Sequence, residues 1–227
     1  MAAQPAATAA FDQTLHEALP QALRNRGTLR VATDASYAPA EFFAEDGRTI
    51  VGFDPDLAKA LGQVLGLEVE LVNAYFQTLM DLTVSGGTDV VMSAITDTPE
   101  REKQLDFVHY FMAGTSIVVQ RGNPAAIGDL RDLCGQAVAG KTGTIQVEQL
   151  ERAQSNCGAD PIVLVLSDTS NDAELQLRTG QVAAVLMDYP TAALLTSAAE
   201  TRGSYQLASD AQYEPGPLRD RGLQERA

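Results

Sequence analysis

The sequence predicts an α/β protein built as two lobes, and three observations predict it. Short apolar runs alternate with amphipathic stretches along most of the chain, the pattern of largely parallel sheets covered by helices. The alternation pauses at an extended run, residues 115–120, closed by Gly122, Asn123 and Pro124, and then starts again. The composition is that of a folded globular chain: 227 residues, 45% hydrophobic and 20% charged.

Taken in order, residues 1–26 are expected as a flexible leader. Residues 1–10 lack the basic and apolar regions of a signal peptide, and residues 11–23 are weakly helical and interrupted by Pro20. Lobe 1 is expected over 27–116. It begins with a strand at 29–33 (LRVAT) and another at 51–53. Residues 54–66 (DPDLAKALGQVLG) read as the clearest helix, with Asp54 as its cap, Pro55 in its first turn and Gly66 at its end. A strand at 69–72, a helix at 76–85, a buried strand at 89–93 and a helix at 99–104 follow. Lobe 2 is expected over 117–209. The extended run 115–120 spans the boundary; after it the strands are expected at 137–139, 162–166, 182–187 and 205–208, and the helices at 146–154, 171–179 and 190–199.

Charge and composition exclude several functions. Asp and Glu number 30 against 16 Lys and Arg, a net charge of −14, which works against binding a phosphate backbone. Two cysteines, Cys134 and Cys157, and two histidines, His16 and His109, are too few and too dispersed for a structural metal centre. There is no GxSxG elbow for a hydrolase and no apolar run long enough to cross a membrane.

Four stretches could carry chemistry. In 92–101 (MSAITDTPER) a strand ends in hydroxyl residues, Ser93, Thr96 and Thr98, and Arg101 follows; its planar fork can hold a carboxylate. In 140–146 (GKTGTIQ) a glycine-containing loop leads into a helix, whose free N–H groups favour an anion. Asp188 ends an apolar strand, where open α/β sheets place ligands. Residues 34–43 (DASYAPAEFF) bring a carboxylate, an aromatic ring and a second acid. Each also has a plainer reading. Arg101 is a surface charge in the run 100–103, 140–146 a tight turn, Asp188 a helix cap before Pro190, and 34–43 a loop with a small apolar anchor.

Together these pieces have a recognisable order. GTLRVATDASYAPAEF, GRTIVGFDPDLAKALG, GGTDVVMSAITDTPEREKQLDF, GKTGTIQ and GQVAAVLMDYPTAA run from Gly27 to about Tyr213. In this the chain resembles the extracytoplasmic solute-binding proteins of polar amino-acid ABC importers, family 3. The resemblance implies a two-lobed periplasmic-binding-protein (type II) clam-shell in which 115–120 is the first hinge strand. It implies a free amino acid held in the cleft, delivery to ABC permease subunits, a monomer, no cofactor and no enzymatic activity. In that pattern Arg101 grips the α-carboxylate, helped by Thr96 and Thr144. Asp188 pairs with the α-ammonium, helped by Ser93. Asp34, Tyr37 and Phe76 line the side-chain pocket, and Ala94 stands where some relatives carry a serine. Ile145 stands where some carry a threonine, and Ala40 where a larger residue or an Asn often precedes Glu-Phe. Asp34 suggests a cationic or an amide-bearing ligand side chain. The resemblance also implies location outside the cytoplasm, with an export signal that residues 1–10 do not supply. There Cys134 and Cys157 would form a disulfide; two buried free thiols are the alternative.

The chain departs from the pattern at its end. After Pro217 the family would continue Tyr-Gly-Ile-Ala-Val and return to lobe 1, but this chain reads LRDRGLQERA. One permitted coding of residues 218–226, read one base later, gives Tyr-Gly-Ile-Ala-Val-Ser-Lys-Asn. Residues 210–227 are therefore expected as an aberrant, frameshifted return segment, with the C-terminal part of lobe 1 missing. Three other functions compete with the leading one. The first is an enzyme on the same scaffold, such as a cyclohexadienyl dehydratase, with Glu41 or Asp34 as general acid. The others are a non-functional truncated binding protein and the sensor module of a receptor.

Overall fold

The computed structural model describes residues 8–216. Residues 1–7 of the expected leader and the tail 217–227, where the frameshift is read, lie outside the described residues. The chain forms two compact units. The first runs to Ile95 and includes Lys141–Thr144 and Ser167–Asp172; the second comprises Thr96–Gly140, Ile145–Leu166 and the residues from Ala173.

In the first unit the chain runs through α1 (Gln13–Ala18), α2 (Gln21–Arg26), β1 (Thr28–Thr33), β2 (Ser36–Tyr37), β3 (Glu41–Phe43) and β4 (Ile50–Val51). It continues through α3 (Phe53–Leu65), β5 (Glu68–Asn73), a 3-10 turn at Phe76–Thr78, α4 (Leu79–Val84) and β6 (Val90–Val91). β1 lies between β5 and β6, parallel to both. β2, β3 and β4 form a small antiparallel meander. Leu29 and Val31 of β1 pack with Ala58 of α3, Leu67 and Met92. That burial is the main stabilising term of this unit.

Two expectations are corrected here. Asp54 does not cap α3: Gly52 is the N-cap, at φ 131°, and Asp54 lies buried inside the first turn. A side chain at residue 52 would meet the Ala40 carbonyl oxygen at 2.3 Å, so the close approach of the backbone requires glycine. The segment expected as a flexible leader is folded from Gln13 onward. Its Asp12 N–H donates to the Val64 carbonyl at 2.9 Å, and His16 Nδ1 lies 2.7 Å from the Leu65 carbonyl. These groups satisfy carbonyls that the last turn of α3 leaves without helical partners. Leu19 and Leu23 add apolar cover to the core.

In the second unit the chain runs through β7 (Ala113–Gln120), β8 (Ala137–Lys141), α5 (Ile145–Gln154), β9 (Val163–Ser167) and α6 (Ser170–Arg178). It closes with β10 (Ala184–Asp188), α7 (Tyr189–Ser197), β11 (Tyr205–Leu207) and β12 (Tyr213–Gly216). The last residue of β8, the last of β9 and the start of α6 belong to the first unit. The strand order is β11-β7-β10-β8-β9, with β12 also paired to β7. The sheet is mixed rather than largely parallel: β7 is antiparallel to β10, β11 and β12, while β8 and β10 run parallel. Residues 115–119 are buried interior of β7, and Gln120 is its half-buried last residue. The helix expected at 99–104 is only a 3-10 turn, Arg101–Lys103. Ile117, Val119, Leu133, Val138, Leu150 and Leu186 form the core. A disulfide joins Cys134 to Cys157, with an S–S distance of 2.11 Å.

Candidate functional site

β1 ends by delivering Asp34 into the interior of the first unit, where it is 4% exposed. Its Oδ2 accepts the Phe76 N–H at 3.0 Å and meets Lys141 Nζ at 2.7 Å. The ammonium also lies over two rings, 5.1 Å from the Tyr37 centroid and 4.9 Å from that of Phe76. Aromatic faces attract a cation, and a nearby carboxylate compensates its desolvation. The turn after Lys141 is fixed by Thr144, whose hydroxyl donates to the Lys141 carbonyl at 2.7 Å. Gly143 is needed in that turn: it sits at φ 79°, and a Cβ there would come 3.0 Å from Gln77 Cβ.

Behind this cradle a buried network runs on. The Asp34 N–H donates to Ser93 Oγ at 3.0 Å, and the Ser93 hydroxyl donates to Glu41 Oε1 at 2.7 Å. The Ala94 N–H donates to Asp54 Oδ2 at 2.7 Å, with Ala94 held at φ 44°. Glu41 is fully buried. Burial, and then the charge of Asp54, push its carboxyl well above the usual range; the Ser93 hydroxyl and Lys141 pull the other way.

Three more of the sequence-predicted residues fall in the second unit. Arg101 Nη1 donates to the Thr96 carbonyl at 2.6 Å, and its N–H donates to Thr98 Oγ1 at 3.3 Å. Burial lowers the guanidinium from its ordinary value, and the charges of Glu148, Asp188 and Asp97 oppose that. Asp188, at the end of β10, makes no capping hydrogen bond to α7. Its Oδ1 instead accepts from Gln146 Nε2 at 2.8 Å, and the same amide nitrogen reaches Thr115 Oγ1 at 3.2 Å.

The structure thus gathers Asp34, Tyr37 and Phe76 around one cation, with Ser93, Ala94 and Thr144 supporting them. It sets Thr96, Arg101 and Asp188 in the second unit. Sequence reasoning missed Lys141 and Gln146. Lys141 lies inside the stretch 140–146 singled out above, but nothing local marks its ammonium for burial. The first unit offers a matched anion and cation between two rings. The second offers a planar guanidinium fork and a carboxylate at a strand end.

The family of bacterial extracellular solute-binding proteins, family 3, matches residues 29–212. The chain belongs to this family. Its relatives include the arginine-binding extracellular protein ArtP of Bacillus subtilis, 38% identical over 53% of this chain and 46% of ArtP. Holo ArgBP from T. maritima is similar in structure, with TM-score 0.78 and 32% identity over 87% of this chain and 83% of that one. An ancestral arginine-binding protein bound to glutamine gives TM-score 0.75 and 34% identity over 83% of this chain and 80% of that one. The fold is therefore that of the periplasmic-binding-protein type II structures. A membrane-bound lytic murein transglycosylase F of Aeromonas hydrophila also matches, 30% identical over 74% of this chain and 32% of its own length. The chain spans less than two thirds of the length of the first curated relatives it matches. Among the described residues no helix is long and apolar enough to cross a membrane.

Proposed function

We propose that this family 3 protein binds a free polar amino acid outside the cytoplasm and delivers it, as a monomer, to an ABC-type permease. In this reading Arg101 takes the α-carboxylate through its planar fork and Asp188 takes the α-ammonium, because each end of a zwitterion needs an opposite charge once desolvated. Thr96 and Gln146 hold those two groups. The disulfide supports an oxidising compartment.

One observation narrows the ligand. Asp34 already meets the Lys141 ammonium at 2.7 Å between the rings of Tyr37 and Phe76. A neutral amide side chain fits this pair without leaving a net charge: its oxygen accepts from Lys141 and its nitrogen donates to Asp34. A cationic side chain must first displace Lys141 from Asp34 and the rings. The reading is therefore an amide-bearing amino acid of the glutamine type, with arginine second. Arginine keeps its place because relatives are named for it, and an ancestral arginine-binding protein similar in structure is bound to arginine in one structure and to glutamine in another.

The enzyme reading is disfavoured by the same network. Glu41, its candidate general acid, is fully buried and bonded to Ser93, and Asp34 is occupied by Lys141 and the Phe76 N–H. A general acid has to reach the substrate.

Thermal unfolding with each common amino acid tests this. A ligand at about 1,000 times its dissociation constant adds roughly 4 kcal/mol to the folded state. Glutamine is expected to raise the transition most. A rise with arginine and lysine but not glutamine overturns the amide assignment. A cooperative transition that no amino acid moves overturns the binding reading and directs attention to turnover of prephenate or arogenate.

A further inference from the structure

We propose that Glu41 and Asp54 share a single proton, and that this proton sets the position of the Ser93–Ala94 turn. The inference concerns how the proposed ligand site is supported and rests on no particular ligand. Glu41 lies on β3 and Asp54 in the first turn of α3, and both are buried, at 0% and 1% exposure. Each holds one residue of the turn: Glu41 Oε1 accepts the Ser93 hydroxyl, and Asp54 Oδ2 accepts the Ala94 N–H. The other oxygen of Glu41, Oε2, is buried and meets no hydrogen-bond donor among the described residues. A carboxylate oxygen left in that state is costly, whereas a protonated one is a donor. Asp54 is its acidic neighbour: the Asp54 N–H donates to the carbonyl of Ala40, the residue before Glu41, at 3.0 Å, and the two carboxyls hold adjacent residues of one turn.

The surrounding charges agree. The groups facing Glu41 are Asp54 from α3, Ser93 after β6 and Lys141 from the end of β8, with Asp34 beyond Ser93. Lys141 is the only cation among them, and it is paired with Asp34. Two ionised carboxylates side by side would therefore lack compensation, so one proton remains. Losing it would drive Glu41 and Asp54 apart and carry Ser93 and Ala94 with them. Ala94 is the residue where such a shift is felt, because it is held at φ 44°, a conformation an alanine rarely adopts.

The sign of the pH dependence follows. A carboxyl raised on folding stabilises the folded state fully below its unfolded pKa, and that stability is lost as pH rises toward the folded one. The wild-type protein is thus expected to become less stable, and the Ala94 amide to shift in NMR spectra, as pH rises above the ordinary carboxylate range. Glu41→Gln replaces the shared proton with a permanent donor: its oxygen still accepts from Ser93 and its NH2 donates to Asp54.

The test compares wild-type and E41Q protein in two measurements. The infrared difference between wild type and E41Q at neutral pH is expected to show a protonated-carboxyl stretch, the contribution of Glu174, raised to about 7, being common to both and cancelling. NMR is expected to show an Ala94 amide that titrates in the wild type and is flat in E41Q. Absence of the stretch at neutral pH, or superimposable Ala94 titrations, overturns the proposal. Glu41→Ala is expected to lose stability where E41Q keeps it; equal loss in both also counts against the shared proton. Neither measurement needs a ligand, so a protein that binds no amino acid yet passes both refutes the proposed function and leaves the proton pair standing.

Discussion

In the first unit an ammonium and a carboxylate meet at 2.7 Å and close on each other, Lys141 on Asp34. In the second, the Arg101 guanidinium rests on the Thr96 carbonyl while the charges of Glu148, Asp188 and Asp97 draw on it. The first arrangement is balanced, so a charged newcomer must break something to enter and a neutral polar one need not. In the second, burial works against the cation, and the charges of Glu148, Asp188 and Asp97 work for it. The comparison teaches that a buried charge can be settled in two ways, by a partner in direct contact, as in Lys141 on Asp34, or by carbonyls and charges spread around it, as in Arg101.

The largest effect is expected from breaking the balanced pair. Asp34→Ala leaves a buried ammonium unmatched and should cost about 3–5 kcal/mol of stability, read by urea denaturation. The double variant Asp34→Leu/Lys141→Met removes both charges and should recover most of that loss. A double variant as unstable as the sum of the singles would show that the pair is not coupled. Lys141→Met alone should turn selectivity from glutamine toward arginine in competition binding, because Asp34 and the rings then lack their internal cation.

Next comes the second unit. Arg101→Ala should weaken amino-acid binding by about 3 kcal/mol, roughly two orders of magnitude in Kd by calorimetry. Its effect on stability should be far smaller than that of Asp34→Ala. Unchanged affinity would remove Arg101 from the carboxylate role.

How far the sequence carried these assignments differs between residues. Strand β1, the capping glycine of α3 and the strand bearing Asp188 were legible because apolar runs and turn glycines act locally. Tyr37, Phe76, Arg101 and Asp188 became legible only through the order of several motifs, since each alone has an ordinary surface or packing reading. Asp54 was misread because Asp before Pro at a helix start usually caps the helix; its true partner is Ala94, 40 positions away. Lys141 was invisible for the same reason. What sets it apart is burial against Asp34, Tyr37 and Phe76, and no local pattern reports contacts that distant in the chain. Residues 11–26 read as part of the leader because the stretch is weakly helical and Pro20 interrupts it; the α3 carbonyls that Asp12 and His16 meet belong to a different segment of the chain.

The disulfide sharpens the contrast between the units because it lies wholly in the second, spanning a sequence separation of 23. Cys134→Ser/Cys157→Ser should lower stability by about 3 kcal/mol through the entropy of the unfolded chain. If the two units unfold separately, calorimetry should show only one transition lowered, and the transition sensitive to Asp34→Ala should stay in place. A single transition shifted by both variants would show that the units unfold together.

The smallest effect expected is a pH response confined to the second unit. Glu174 on α6 is raised to about 7, chiefly by burial, while Arg178 pulls it down. Tyr205 donates to the Glu174 backbone carbonyl at 3.0 Å, which ties α6 to β11. A carboxyl raised on folding favours the folded state at low pH. Its contribution is complete below the unfolded value near 4.5 and is lost as pH rises through about 7. Partial exposure screens the effect, so about 2 kcal/mol is an upper limit. Glu174→Gln should make the thermal transition of the second unit nearly flat between the two pH values and higher than wild type above neutrality. Equal pH slopes in the two proteins would mean that the carboxyl stays solvated.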